Sequence, residues 1–166
     1  MTLVEVVAYA LLSATMLLVI GSIFGAGWNT AQLATRRDTA TGSALAVTTS
    51  IHASIRNATD DFTAGSNYLT AKVAKGTCSW EYRAWWLNGT DLMYRTSTSA
   101  APAIPTDGSR TGWVTLASGM SIRPGATNGF VKTGARLQLN LRARSGQEAV
   151  LITPSYVAQA KGTPSC

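Results

Sequence analysis

The chain has 166 residues, room for one domain of ordinary size beside an anchoring segment, and carries 14 Lys and Arg against 8 Asp and Glu, a net charge of +6. One histidine and two cysteines leave no support for a zinc centre with paired-Cys spacing or for a Ser–His–Asp or Cys–His catalytic arrangement. Beyond the first 24 residues the chain is rich in Thr, Ser, Ala and Gly and poor in acids, which excludes a helical bundle and fits a β-rich domain with many turns.

Met1-Thr2-Leu3-Val4-Glu5 opens the chain, and an uncharged apolar run follows from Val6 to Phe24. At about 1.5 Å per helical residue this run nearly spans a bilayer core of roughly 30 Å. An acid at the mouth of such a helix is expensive in lipid, and a charge kept there usually has a functional partner. Residues 1 to 5 contain no Lys or Arg, which argues against a secretory signal starting at Met1. An ordinary single-span anchor has no need of Glu5.

Thr2-Leu3-Val4-Glu5-Val6 followed by this apolar run resembles the N-terminus of a mature type IV pilin or pseudopilin. Met1 and Glu5 match that family's first and fifth positions without a shift. The resemblance covers the first quarter of the chain. It implies a basic leader removed by a prepilin peptidase, so that the chain reads as the processed form, N-methylated at Met1. It implies that Glu5 pairs with the α-amino group of a neighbouring pilin subunit in a helical filament. An unpaired charge in a low-dielectric core costs several kcal/mol and a paired one is tolerated, so Glu5 would set axial register more than it adds stability. The implied partners are other subunits, the peptidase, a membrane platform protein and a cytoplasmic assembly ATPase. The implied location is the plasma (inner) membrane as a single pass before assembly, then the bacterial cell surface. A structural filament subunit is the favoured function. A DNA-binding minor pilin for DNA uptake and a type II secretion pseudopilin are the alternatives.

Gly21, Gly25 and Gly27 fall close together after the run, and each weakens a helix by about 1 kcal/mol relative to Ala. The helix either passes through them or loosens there. Helical character returns after Trp28, with Ala40, Ala44, Val47, Ile51, Ile55 and Ala58 forming one apolar stripe that would pack on a sheet. Arg36-Arg37 interrupts the stripe and would face water or a neighbouring subunit. Ser54-Ile55-Arg56-Asn57-Ala58 ends the helix before Asp60-Asp61, and this ending resembles the large minor pilins of the J/W class. The expected organisation is a membrane or filament-core helix over 1–27, its amphipathic continuation over 28–60 and a sheet domain over 61–166.

After Asp61 the pattern turns strand-like. Tyr68 to Val73, Thr77 to Leu87 and Asp91 to Ser97 are candidate strands, the last two joined by a hairpin at Asn88-Gly89. Ser99 to Arg110 reads as a loop through Pro102, Pro105 and Asp107-Gly108. Trp113 to Ala117 and Met120 to Arg123 are short strands around Ser118-Gly119, and Pro124 to Gly129 is a second loop. Ala135 to Arg144 is the clearest strand, with Leu137, Leu139 and Leu141 on one face and Arg136, Gln138, Asn140, Arg142 and Arg144 on the other. Ser145-Gly146 turns the chain so that Glu148 to Thr153 pairs back, and Pro154 to Cys166 is expected to be irregular. The fold class is α+β, a long N-terminal helix packed on an antiparallel sheet, the ladle of the pilins.

An even number of cysteines in an exported domain suggests a disulfide between Cys78 and Cys166, with two free thiols as the alternative. A loop of that size gives roughly 4 to 5 kcal/mol in the chain-entropy model. A C-terminal Cys tied back to the sheet also resembles the disulfide-bounded region of many pilins.

Seven acids remain against 14 bases once Glu5, the single charge in the first 35 residues, is set aside. Such an excess serves solubility or contact with an anionic partner such as DNA. The cluster Trp80, Tyr82, Arg83, Trp85, Trp86, Tyr94 and Arg95 is the best binding candidate. Alternation places Trp80, Tyr82 and Ala84 on one face, read as core, and Glu81, Arg83 and Trp85 on the other, which leaves Trp85 or Trp86 exposed. An exposed Trp beside Arg stacks on bases or covers a neighbouring subunit. Arg136, Arg142 and Arg144 form a second candidate surface, for phosphate. The competing readings are core and subunit interface for the aromatics and a solvated strand face for the arginines. His52 reads as a surface or helix-packing residue, and Asp60-Asp61 as helix-end solvation with too few oxygens for calcium. With no Gly-rich phosphate loop after a strand, the chain reads as a non-enzyme without cofactor or metal.

Overall fold

The computed structural model describes residues 2–59, 61–76 and 79–159. Met1, Cys78 and Cys166 lie outside the described residues, and with them the expected methylation and disulfide. The chain divides into two compact units, Met1–Arg36 and Arg37–Cys166.

One helix, α1, runs over Leu3–Arg56. It continues unbroken through Gly21, Gly25 and Gly27. Glu5 in its first turn and Arg56 in its last complement the helix dipole. In the first unit the described side chains are exposed. Leu11, Met16 and Phe24, for instance, are 63%, 69% and 75% exposed. By length and composition α1 can cross a membrane. The stretch from Leu3 to Phe24 is about 33 Å long, against a hydrocarbon core of roughly 30 Å.

In the second unit the expected stripe is the buried face of α1. Ala40, Ala44, Val47, Ile51, Ser54 and Ile55 are buried there, and Ala58 follows just past the helix end. Arg36 and Arg37 are exposed.

The stripe packs on antiparallel sheets. The first sheet is a five-stranded meander of β1 (Thr63–Ala64), β2 (Tyr68–Lys75), β3 (Ser79–Asn88), β4 (Asp91–Ser97) and β5 (Val114–Ser118). Asn88 pairs with Asp91 across a two-residue turn. In that turn Gly89 takes φ 63° and Thr90 does not take positive φ, the pattern of a turn with Gly first.

The remaining strands are β6 (Met120–Ile122), β7 (Phe130–Thr133), β8 (Arg136–Leu139), β9 (Leu141–Ser145), β10 (Glu148–Ile152) and β11 (Ser155–Val157). They form two three-stranded sheets, β11-β8-β7 and β10-β9-β6. The strand expected over 135–144 is therefore divided at Asn140, and the alternation survives the division: Leu137, Leu139, Leu141 and Ala143 are all buried. Asn140 is the joint. Its N–H donates to the Gly129 carbonyl at 2.8 Å, its carbonyl accepts from Arg123 N–H at 2.9 Å, and its side-chain amide donates to the Asn128 carbonyl at 3.3 Å. These bonds hold the 123–129 loop between the two partner strands on that edge. The tail expected to be irregular from Pro154 pairs instead as β11 with β8.

Gly119 carries the chain from β5 to β6. It takes φ 72°, and its carbonyl accepts from Arg144 N–H at 2.7 Å. A Cβ at this position would collide with the Arg144 carbonyl oxygen, so this corner needs glycine for both reasons.

One apolar core joins the three sheets to the helix. Val47, Ile51 and Ile55 meet Leu69, Val73, Trp85 and Leu92 of the first sheet and Phe130, Leu137, Leu139 and Leu141 of the two three-stranded sheets. A smaller cluster lies on the opposite face of the first sheet, where Ala84, Trp86 and Met93 pack against Trp113, with Ile104 beside them. The segment between β4 and β5 covers that part of the face.

Ile51 is fully buried at the centre of the seam. Ile51→Ala should lower the unfolding free energy by about 2 to 5 kcal/mol. Leu45→Ala, at a site 64% exposed, should change it by less than about 0.5 kcal/mol. Urea unfolding followed by near-UV circular dichroism compares the two, and equal losses would contradict the packing described.

Candidate functional site

The residues singled out from sequence fall into three places. Glu5 stands in the first unit, in the opening turn of α1. Its backbone N–H and that of Val6 donate to the Thr2 carbonyl at 3.0 and 3.3 Å, so Thr2 closes the first turn. The carboxylate sits where the free N–H groups of a helix start favour negative charge. Around it Leu3, Val4, Val6 and Val7 are 84%, 76%, 54% and 52% exposed.

The aromatic and arginine cluster lies on β3, with its faces opposite to expectation. Trp85 and Trp86 are 0% and 4% exposed, so neither offers the exposed ring expected of one of them. Trp80 and Tyr82, expected in the core, are half-buried. The side of β3 turned to the helix carries Glu81, Arg83, Trp85 and Leu87. The other carries Trp80, Tyr82, Ala84 and Trp86. Trp85 packs against Tyr94 with ring centroids 5.5 Å apart. Trp86 meets Trp113 edge-on, also at 5.5 Å.

Helix serines make the polar side of β3 tolerable in the core. Arg83 Nη1 donates to Ser54 Oγ at 2.9 Å, and Trp85 Nε1 donates to Ser50 Oγ at 3.2 Å. Ser54 in turn donates to the Ser50 carbonyl at 2.7 Å. The Glu81 carboxylate is 3.6 Å from both Lys75 Nζ and Arg83 Nη2. Arg83 is thus committed to a structural ion pair within the fold. Ser50 and Ser54 were not singled out from sequence, although their four-residue spacing beside the apolar stripe was the available signal. Arg95 is exposed on the opposite face, with Gly112 beside its guanidinium.

The third place is the outer face of β8 and β9. Arg136 and Arg144 are exposed and Arg142 is half-buried. Arg142 Nε donates to Ser121 Oγ at 3.4 Å, and Arg144 Nε donates to the Gly146 carbonyl at 2.6 Å. Their cross-strand neighbours are Thr133, Ser121, Ala149, Leu151 and Val157. These are aliphatic or hydroxyl side chains, so the face is basic but carries no stacking ring at those positions.

His52 lies on the exposed side of α1 and stacks on Tyr156 with centroids 5.0 Å apart. Among the described residues no three His, Cys, Asp or Glu side chains gather as a metal site would require. Compared with protein-family models, curated proteins and solved structures, the chain has no significant match.

Burial pushes the Tyr94 hydroxyl above its ordinary value of 10.0; the Arg83 cation pulls against this and the Glu81 carboxylate adds to it. Burial raises Tyr156 likewise. An unfolded tyrosine ionises near pH 10 while the folded one keeps its proton, so stability is level below about pH 10 and falls as pH rises through the folded value. Tyr94→Phe should flatten part of that fall. Melting temperatures from about pH 8 to about pH 11 report it, and an unchanged slope in the variant would contradict the burial of this hydroxyl.

Proposed function

We propose that this chain is a structural subunit of a type IV pilus-like filament. The observation that carries the reading is the membrane-length apolar stretch from Leu3 to Phe24, whose side chains are exposed among the described residues and whose single charge is Glu5 in the opening turn. Such a surface needs lipid or other protein against it. The subunit waits in the bacterial inner membrane as a single pass. It then moves into a helical filament at the cell surface, where the helices of neighbouring copies pack together. Glu5 accepts the α-amino group of a neighbour's Met1 and sets the axial register. The chain needs no cofactor and catalyses no reaction. A prepilin peptidase, a membrane platform protein and an assembly ATPase act on it. The α+β class, with a long N-terminal helix and antiparallel sheets, is compatible with this reading.

DNA capture, the rival reading, would rest on Arg95, Arg136, Arg142 and Arg144 without a stacking ring from Trp85 or Trp86, because Arg83, Trp85 and Trp86 are occupied inside the fold. Filament assembly therefore stands as the conclusion.

Glu5→Ala should abolish or sharply reduce filaments sheared from the native cell while the protein still fractionates with the inner membrane. Quantitative mass spectrometry of the sheared material reads both the yield and the mass of the Met1 peptide. Wild-type filament yield from the Glu5→Ala strain would overturn the role given to Glu5. Absence of the wild-type chain from filaments would overturn the filament reading itself.

A further inference from the structure

The outer face of the five-stranded sheet is only partly covered. The segment between β4 and β5 lies over Ala84, Trp86 and Met93 and closes with Trp113. Further along β2 and β3 the same face carries Thr70, Lys72, Trp80 and Tyr82, all half-buried. Lys72 and Tyr82 are cross-strand partners. The Lys72 ammonium lies 5.1 Å from the Trp80 ring centroid and 5.9 Å from that of Tyr82. Asp61 and Thr63 rise at one side and Ala101 at the other. With Thr70, Lys72 and Tyr82 they enclose a concavity of about 190 Å³. This is the scale of one small ring rather than of an extended ligand.

We infer that this concavity is a binding subsite for one unit of a neutral saccharide. The lining mixes an aromatic body with groups of every hydrogen-bonding type. The Asp61 carboxylate only accepts, the Lys72 ammonium only donates, and the hydroxyls of Thr63, Thr70 and Tyr82 do both. A sugar hydroxyl also does both, and its C–H face suits an aromatic ring whose other end is polar. A wholly apolar ligand would strip water from Asp61 and Lys72 and return no hydrogen bonds. Among the described residues that line the concavity the charges of Asp61 and Lys72 cancel, so the lining carries no surplus of the cations that draw a phosphate chain. The exposed Arg136 and Arg144 stand on β8 and β9, in the three-stranded sheets, and do not line this concavity. The inference is independent of filament assembly, since every residue it uses lies in the second unit.

The test uses the full chain in a sugar-free zwitterionic micelle. It is titrated with maltotetraose, cellotetraose and chitotetraose, and with oligothymidylate, with tryptophan fluorescence and saturation-transfer NMR as readouts. At least one tetrasaccharide should bind with a millimolar or tighter Kd that does not change with salt. Tyr82→Ala and Asp61→Ala should each weaken it about tenfold or more, equivalent to about 1.4 kcal/mol. Asp61 is exposed, so its variant keeps the fold and guards against a misfolded Tyr82→Ala. Failure of all three sugars to bind, or binding that both variants leave unchanged, would overturn the proposal. Salt-sensitive binding of oligothymidylate alone, lost in Tyr82→Ala, would overturn it in favour of a single-stranded nucleic acid.

Discussion

Everything from Arg37 onward depends on the seam between α1 and the three sheets. Burial of Val47, Ile51 and Ile55 against Leu69, Trp85 and the leucines of β8 and β9 supplies most of its free energy, but burial is non-directional. It would let the helix slide by a turn with little loss. Ser50 and Ser54 remove that freedom. They sit four residues apart on the helix, about 6 Å along its axis, while Arg83 and Trp85 sit two apart on the strand, about 6.6 Å. The two spacings match closely enough for both hydrogen bonds to form at once. Arg83 is held in turn by Glu81, and Glu81 by Lys75. Such a chain contributes little net stability as a set, yet removing one member leaves its partner buried and unpaired. It specifies position more than it adds strength.

A second consequence is that β3 is enclosed on both faces. The helix takes one side and the β4–β5 segment takes half of the other, so Ala84, Trp85, Trp86 and Leu87 are buried in succession. A strand buried on both faces loses the alternation that tells inside from outside. This is why Trp80 and Tyr82 read as core and Trp85 or Trp86 as exposed. The decisive partners, Ser50 and Ser54, lie 35 and 29 residues from theirs, beyond any local pattern. The helix stripe, by contrast, was legible to within a residue, because a 3.6-residue period is set by one element alone. The Asn88-Gly89 hairpin was legible for the same reason.

The two three-stranded sheets show the same division between local and distant information. Period two in Leu137, Leu139, Leu141 and Ala143 gave the correct buried face. It could not show that the ribbon changes partners at Asn140, because the period runs through the change unaltered. The short strands Phe130–Thr133 and Ser155–Val157 exist only through pairing with β8. Neither carries enough pattern of its own to be read in advance.

The first unit poses a different problem, since its apolar surface is legible at once but fits two environments. Lipid tails are as apolar as leucine, so moving Leu3 to Phe24 from a bilayer to a bundle of like helices gains little hydrophobic free energy. The term that differs between the two is Glu5. In lipid its carboxylate is an expensive charge without a fixed partner. In a bundle of the same helices it can be paired, and the cost falls away. On the filament reading, one carboxylate therefore does what the apolar side chains cannot. On that reading Glu5 fixes one axial offset between neighbours.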